Sequence, residues 1–408
     1  MEQTVTSLLR DFPTDEYPRF DDAEFENRVE AARRSMRRLG IDAILVSSEA
    51  NFRYMTGYIL QSPVQIARPR FFVLPLVGEP CAIVPKTNVD GMRQTTWVTD
   101  IRSWVAPNPE DDGVSLIAEA MRAAERKFGR LGAELGQEAR LGMPVLDFLR
   151  LQEMLQPSIF VDAERVFREI RMVKSPAEIE RIRQICRITS ESFAALPDLL
   201  RIGDTEWSAC RRLQLDLTLR GAHRTPHLTG VSGYNGYTNI NTGPTGRVLE
   251  VGDVLIIDAG CCIDNYWCDF NRNFAFGNAS DPVLQAYRSL FMATDAGLAA
   301  VRPGQRTSDV FAAMCSVLSG DGTPGGTVGR MGHGIGLLAP EPPSVNATDT
   351  TVLQPGMVIT LEPSISYTVP GKNGQTERRI MVHEENLVVT DGAELLTART
   401  PEELPIVR

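Results

Sequence analysis

The sequence has no long apolar run, which excludes an ordinary transmembrane helix. No stretch approaches the roughly 20 apolar residues that cross a bilayer. The N-terminal segment MEQTVTSLLRDFPTDEYPRF has neither a basic start nor an apolar core, so we expect no signal peptide. The seven cysteines lack paired CxxC spacing. This argues against a cysteine-based zinc site and predicts free thiols in a reducing, cytoplasmic compartment.

An excess of positive charge is also missing. The chain carries 42 Lys and Arg against 52 Asp and Glu, for a formal net charge of −10. This balance argues against nucleic acid or an acidic membrane as the main partner. We expect a small molecule or short peptide instead. The 408 residues are 43% hydrophobic and 23% charged, which is typical of a globular protein with two or three domains.

The first part of the chain, residues 1–168, is predicted to form an α/β domain. Apolar residues recur at helical spacing from about Asp22 to Leu39, and Gly40 follows as a stop. The segments IDAILVSS, FFVLPLV and PCAIVP are typical of buried strands, and a further helix is expected from about Val114 to Phe128. Alternating strands and helices indicate an α/β fold.

The second part, residues 169–408, is predicted to be an α+β domain. Ser175, Pro176 and Glu178 form a capping box with a proline start, which predicts a long helix. Strand-like segments dominate near Asp258 and again after Pro355. Helices and hairpins are therefore intermixed rather than alternating.

Two aspartates in this second part are candidate metal ligands. The apolar run of residues 254–257 leads into Asp258, the chain is expected to turn at Asp264-Asn265, and the returning strand carries Asp269. The two carboxylates could meet across this hairpin, where a divalent cation would relieve their repulsion. Taken alone, the hairpin fits a metal site and a pair of turn or capping aspartates equally well.

Three more candidates follow along the chain. His333 lies between glycines in GRMGHGIGL, Glu362 ends the apolar run in PGMVITLEPSI, and Glu384 lies in the strand-like segment RIMVHEENLVVT. There, Val382, Glu384 and Asn386 are expected to share one face. Individually, these residues also fit a loop histidine and two edge-strand charges. Four carboxylates and one imidazole together suit manganese, iron, cobalt or zinc, and two such ions could activate a water molecule.

The set resembles the pita-bread metallopeptidase family, which includes methionine aminopeptidase, prolidase, aminopeptidase P and creatinase. The family pattern has two aspartates eleven residues apart, a histidine in GHG, a glutamate in EP and a final glutamate ahead of VT. The matching residues are Asp258, Asp269, His333, Glu362 and Glu384. The segment RVEAARRSMRRLGIDAILVSSEANFRYMTGY is similar to the family's creatinase-type N-terminal domain. The resemblance implies an α/β N-terminal domain followed by an α+β pita-bread catalytic domain.

The resemblance also implies an activity and a cofactor. It implies a hydrolase similar to Xaa-Pro dipeptidases and aminopeptidases, in which hydroxide activated by two divalent ions (Mn, Co, Fe or Zn) cleaves an amide bond. Asp258 and His333 would each ligate one ion, Asp269 and Glu384 would bridge both, and Glu362 would ligate one and shuttle a proton. Relatives of this kind are commonly homodimers.

The substrate residues depart from the family pattern. Proline-specific members carry a second histidine after GHGIGL and another after SGxN, where this chain has Pro340 and a segment containing Asn239 and Asn241. His227 is a catalytic candidate that could replace a lost imidazole, the alternative being a structural histidine. Arg68 resembles an arginine that holds a substrate carboxylate, the alternative being a surface arginine.

Two other functions stay open from the sequence. One is a relative repurposed for a small non-peptide substrate, either a C–N hydrolase or a dimethylsulfoniopropionate-type lyase. Such lyases carry an extra aspartate two residues after the first ligand, where this chain has Gly260. The other is a non-catalytic binding protein, against which the retention of the whole ligand set argues. The same ligand set argues against the metal-independent reaction of creatinase.

Overall fold

The computed structural model describes residues 19–59, 67–318 and 329–408. Within these ranges the chain forms two compact units, residues 19–171 and Met172–Arg408. The expectation about a signal peptide concerns residues outside the described ranges. Among the helices described, none is both long and apolar enough to cross a bilayer. All seven cysteines are free thiols, as predicted.

The first unit contains a mixed six-stranded sheet in the order β4-β3-β2-β1-β5-β6. The central strand β1 pairs antiparallel with β2 and parallel with β5, and its four residues are all buried. Among the described residues, six α-helices accompany this sheet, which confirms the α/β class. The strands are β1 Ala43–Val46, β2 Phe71–Pro75, β3 Cys81–Pro85, β4 Asp100–Trp104, β5 Arg130–Ala133 and β6 Ile159–Asp162; the helices are α1 Asp22–Leu39, α2 Glu49–Thr56, α3 Val89–Thr95, α4 Val114–Ala123, α5 Val145–Met154 and α6 Glu164–Met172.

Helix ends in this unit follow local hydrogen bonding. The Asp21 side chain caps the start of α1, and Gly40 ends it in the left-handed conformation, so the predicted bounds are confirmed. Helix α4 ends at Ala123 rather than near residue 128. The backbone N–H groups of residues 127–129 donate to the Asp42 carboxylate instead, and that arrangement is incompatible with a continuing helix.

In its described residues, the second unit contains three sheets and four helices. A four-stranded sheet has the order β17-β9-β8-β7, a five-stranded sheet the order β11-β10-β12-β15-β16, and β13 pairs with β14. This mixture confirms the α+β class. The helices are α7 Pro176–Leu199, α8 Glu206–Leu219, α9 Asp281–Ala300 and α10 Thr307–Leu318; the strands are β7 Arg224–Tyr234, β8 Asp253–Ile263, β9 Tyr266–Phe276, β10 His333–Gly334, β11 Glu341–Ser344, β12 Val358–Leu361, β13 Ser364–Pro370, β14 Thr376–Val382, β15 Glu385–Val389, β16 Ala393–Leu395 and β17 Ile406–Val407.

Two local signals in this unit are confirmed. Ser175 and Glu178 form the expected capping box at the start of α7. The β8–β9 hairpin turns at Asp264 and Asn265, whose φ angles are 49° and 64°. Two residues with positive φ suit the right-handed twist of a tight hairpin, and Asp and Asn tolerate that conformation. The turn sets the register of the two strands that carry the first candidate ligands.

Candidate metal centre

The β8–β9 register brings Asp258 and Asp269 to the same face of the sheet. Asp258 lies opposite Asn271, and Gly260 lies opposite Asp269, so the two aspartates are diagonal neighbours. Because β8 continues to Ile263, Asp258 lies in the middle of a strand rather than at its end. The meeting of the two carboxylates across the hairpin agrees with the sequence prediction.

His333 is held by glycines on both sides. A Cβ at Gly332 would lie 2.1 Å from the Thr360 carbonyl oxygen, and one at Gly334 would lie 2.3 Å from that of Pro342. No side chain fits at either position, so the backbone can pass close to its neighbours. The His333 Nδ1 lies 3.0 Å from the Gly334 carbonyl oxygen and donates to it. The Nε2 is thereby left as an acceptor for a metal.

The Nε2 of His333 faces two carboxylates. It lies 3.7 Å from Asp269 Oδ2 and 3.7 Å from Glu384 Oε1. One ligand atom from each of these three residues lies within 4.8 Å of the others. The side chains of His333 and Glu384 are only 5% and 2% exposed. This spacing of one imidazole and two carboxylates suits a first-row divalent cation.

Several carboxylate oxygens at this centre have no hydrogen-bond donor. Asp258 Oδ1, Asp269 Oδ1 and Glu384 Oε1 are buried, and within the described part of the chain none of them accepts a hydrogen bond. The second oxygen of Glu384 accepts a hydrogen bond from Asn271 Nδ2 at 3.3 Å, and the second oxygen of Asp258 lies 3.3 Å from His227 Nε2. Buried, unsatisfied carboxylate oxygens are costly unless a cation is bound. The residues present therefore fit a divalent metal ion.

The pKa shifts have the same physical origin. Burial raises the pKa of Asp269, and the nearby charges of Asp258 and Glu362 raise it further. Burial and the neighbouring carboxylates likewise raise the pKa of Glu384, and burial followed by Asp258 raises that of Glu362 to about 8. Burial lowers the pKa of His333 to about 4. The centre thus crowds carboxyl groups, which resist ionisation when no cation is bound, around a neutral imidazole.

The two glutamates lie at chain turns. Glu362 directly follows β12, and its N–H donates to the Met331 carbonyl at 2.9 Å. Glu384 was predicted inside a strand, which is wrong. It lies in the two-residue break between β14 and β15, where the chain passes from the two-stranded to the five-stranded sheet. Its neighbour Glu385 points elsewhere, into a buried ion pair with Arg272.

Of the substrate candidates, His227 is the one that lies beside this centre. Its Nε2 is 3.3 Å from Asp258 Oδ2, with 44% of its side chain exposed, and the hydrogen bond to Asp258 raises its pKa.

The other substrate candidates of this unit have no such contact among the described residues. Asn239 and Asn241 are exposed in the loop after β7. Within the described ranges, neither has a hydrogen bond to the five candidate ligands. Pro340 is also exposed. Arg68, in the other unit, is exposed with φ 62°.

Three residues near the centre were missed from the sequence. The positive charge of Arg330 counteracts the upward pKa shifts of Asp269 and Glu362. Within the described chain, the structure gives Arg330 no ion pair. The other two are Asn271, bonded to Glu384, and Asn386, bonded to the Asp269 backbone. Arg330 left a signal as a cation in GRMGHG, and period-two alternation placed Asn386 on the predicted face of Glu384 without indicating its role.

Comparison with known families gives two matches. The profile of metallopeptidase family M24 matches residues 180–391, and that of the creatinase/prolidase N-terminal domain matches residues 28–173. Both agree with the resemblance drawn from the ligand pattern and the N-terminal segment. The expected architecture, a creatinase-type domain followed by a pita-bread domain, is confirmed.

Individual relatives cover nearly the whole chain. The chain is 28% identical over 393 residues to a probable dipeptidase PepE of Mycobacterium tuberculosis, covering 95% of this chain and 98% of that protein. It is 24% identical over 370 residues to an Xaa-Pro dipeptidase of Lactobacillus delbrueckii subsp. lactis, covering 90% and 95%. The crystal structure of dipeptidase PepE from Mycobacterium ulcerans superposes with a TM-score of 0.79 at 28% identity, covering 96% of this chain and 100% of that one.

Proposed function

Since this chain belongs to metallopeptidase family M24, we propose that it is a dipeptidase that uses two divalent metal ions. The observation that carries the proposal is the set of buried, unsatisfied carboxylate oxygens around the Nε2 of His333. The ligands would be Asp258, Asp269, His333, Glu362 and Glu384. A metal pair bound by these residues would polarise the substrate carbonyl and lower the pKa of a water molecule.

The residues of the chain itself would orient the substrate and move protons. Glu362, at the end of β12, would accept the proton of the attacking water and deliver it to the leaving nitrogen. His227 is half exposed beside Asp258 and would donate from Nε2 to the carbonyl oxygen as negative charge develops there. Such a donor is worth about 2.7–4 kcal/mol of transition-state stabilisation. It would replace one imidazole lost at Pro340 or near Asn239 and Asn241.

The proposed substrate is a dipeptide, with proline after the scissile bond in the preferred case. In a dipeptide the free carboxylate lies next to the scissile amide, so a cation near the metal ligands would select for it. The positive charge of Arg330 acts on Asp269 and Glu362, and Arg330 has no ion pair within the described ranges. A guanidinium can bind a carboxylate through two parallel hydrogen bonds. The names of the PepE and Lactobacillus relatives support the same substrate class.

A substrate panel tests this function. The full chain, stripped of metal and reloaded with Mn²⁺, Co²⁺, Fe²⁺ or Zn²⁺, would be assayed against Xaa-Pro dipeptides, Xaa-Ala dipeptides, tripeptides and small amides. We expect metal-dependent cleavage of dipeptides and much slower cleavage of tripeptides. Turnover of small amides alone would support the non-peptide hydrolase instead. No turnover with any ion would contradict the proposal.

The alternative functions receive less support. A Cβ at Gly260 would lie 2.9 Å from the His227 Cβ and 3.0 Å from the Trp267 ring, so the lyase-type aspartate has no room without a shift. A non-catalytic role leaves the unsatisfied oxygens unexplained. Manganese as the native ion, a homodimer, a cytoplasmic location, and substrate contacts from Arg68, Asn239 and Asn241 remain proposals from the resemblance. Light scattering of the full chain would test the dimer.

A further inference from the structure

In the part of the chain that the structure describes, no strand covers the edge of β9 at the candidate metal centre. In the sheet order β17-β9-β8-β7, the short β17 pairs with β9 only at Ala275 and Phe276. In an antiparallel ladder, every second residue points its N–H and C=O away from its partner strand. At Asp269 these outward groups are directed to the open edge, where a buried peptide group needs another partner.

One side-chain amide supplies both partners. The N–H of Asp269 donates to Asn386 Oδ1 at 3.0 Å, and Asn386 Nδ2 donates to the Asp269 carbonyl. Asn386 is fully buried, and it lies on β15 in the other large sheet of the unit. Its amide therefore imitates the peptide of an adjacent strand. Among uncharged side chains, only an amide offers a donor and an acceptor at this spacing.

The amide is itself held in one orientation. The Cys186 thiol of α7 donates to Asn386 Oδ1 at 3.4 Å. The Asn386 backbone N–H donates to Thr397 Oγ1 at 3.3 Å, and its carbonyl accepts from the Leu396 N–H at 2.9 Å. Swinging the side chain away would leave the Asp269 peptide groups buried without partners, which is unfavourable.

We propose that Asn386 is a positioning residue that orients the backbone of Asp269 and so aims its carboxylate at the metal ions. Asn386 sits two residues after Glu384, so the same short segment supplies one ligand and orients another. The inference rests on the proposed function, because that function makes Asp269 a metal ligand. Partners that orient metal ligands typically change metal affinity or activity by about 10–100-fold when mutated.

The test compares two matched substitutions. Asn386→Leu removes both hydrogen bonds while nearly conserving volume. Asn273→Leu is the control. Asn273 is 2% exposed and lies on β9 with Asp269, and its amide bonds to Val382 and Tyr237 rather than to a ligand backbone. The full-length variants would be titrated with Co²⁺, and the cobalt visible absorption, kcat, KM and unfolding temperature would be measured.

We expect both variants to lose stability, but only Asn386→Leu to bind cobalt about 10–100-fold more weakly with an altered spectrum. Its kcat should fall while KM changes little. If Asn386→Leu does not fold, Asn386→Thr retains a strand-forming residue with one hydroxyl, and a smaller loss of the same kind is expected. An unchanged cobalt affinity and spectrum in the folded variant would overturn the inference. A parent chain that binds no cobalt would instead refute the proposed metal site.

Discussion

The Nε2 of His227 lies 3.3 Å from the Oδ2 of Asp258, across the β7–β8 pair. The two residues are diagonal neighbours, because His227 is opposite Gly260 and Asp258 is opposite Thr229. The absence of a side chain at Gly260 leaves room for the imidazole. A proton donor therefore reaches the metal centre from a strand that carries none of the five candidate ligands.

Replacing the His227 imidazole should slow the reaction without reducing the amount of bound metal. We expect His227→Leu to lower kcat about 10²–10³-fold, the usual effect of losing one donor to a developing oxyanion. Metal content, measured by mass spectrometry after dialysis, should stay close to that of the parent chain. His223→Leu is the control, since His223 is exposed just before β7. Equal activity in the two variants would remove His227 from the mechanism.

Removing the Asp269 carboxylate should abolish activity by weakening metal binding. Asp269→Ala deletes an oxygen that has no other partner in the described chain, so we expect the metal content to fall by at least one ion per chain. Glu394→Ala serves as the control, because Glu394 is a half-exposed carboxylate paired with Arg183. Normal activity in Asp269→Ala would be incompatible with the two-metal centre.

The stability of the metal-free protein should fall as the pH rises. The pKa of Glu362 is raised to about 8, whereas an unfolded glutamate titrates near 4.3. Between these values the unfolded chain loses a proton that the folded chain retains, so ionisation favours unfolding. We expect the unfolding temperature to decrease from about pH 5 to about pH 8 in the metal-free protein. Glu362→Gln should weaken this dependence without abolishing it, because the pKa values of Asp269 and Glu384 are also raised. A rise in unfolding temperature over the same interval would contradict the burial argument.

Arg330 should set the preference for a free carboxylate. We expect Arg330→Met to raise KM for an Xaa-Pro dipeptide at least about 10-fold, since a hydrogen bond to a charged group is worth about 1.5–3 kcal/mol. The matching dipeptide amide lacks the carboxylate, so its KM should be unchanged. Arg330→Lys should restore only part of the affinity, because an ammonium lacks the planar fork. Equal effects on acid and amide would disprove carboxylate binding.

A buried ion pair should contribute strongly to folding. The Lys174 ammonium lies 2.7 Å from Glu341 Oε1, with side chains 1% and 5% exposed. Lys174→Met leaves the Glu341 charge without this partner, and we expect a loss of about 3–5 kcal/mol in the free energy of unfolding. Urea denaturation of the full chain would measure it. The double variant Lys174→Met/Glu341→Leu should recover most of this stability, because it no longer buries an unpaired carboxylate. If the double variant is less stable than Lys174→Met, the unpaired charge of Glu341 is not the cause of the lost stability.

The sequence by itself determined the ligand types and the local structure around them. Asp258 and Asp269 could be placed on one face because a two-residue turn and period-two alternation set a hairpin register locally. The capping box of α7 and the end of α1 at Gly40 were likewise predictable, since each depends on residues within one helical turn.

Only the tertiary structure decided which side chains orient and surround those ligands. Asn386 and Asp269 are 117 residues apart in the chain, and Arg330 leaves no periodic pattern. Glu384 falls in a break between two sheets, although its apolar neighbours indicated one continuous strand. Such contacts depend on how separate sheets pack, and each residue's own segment contains no information about the partner it will meet.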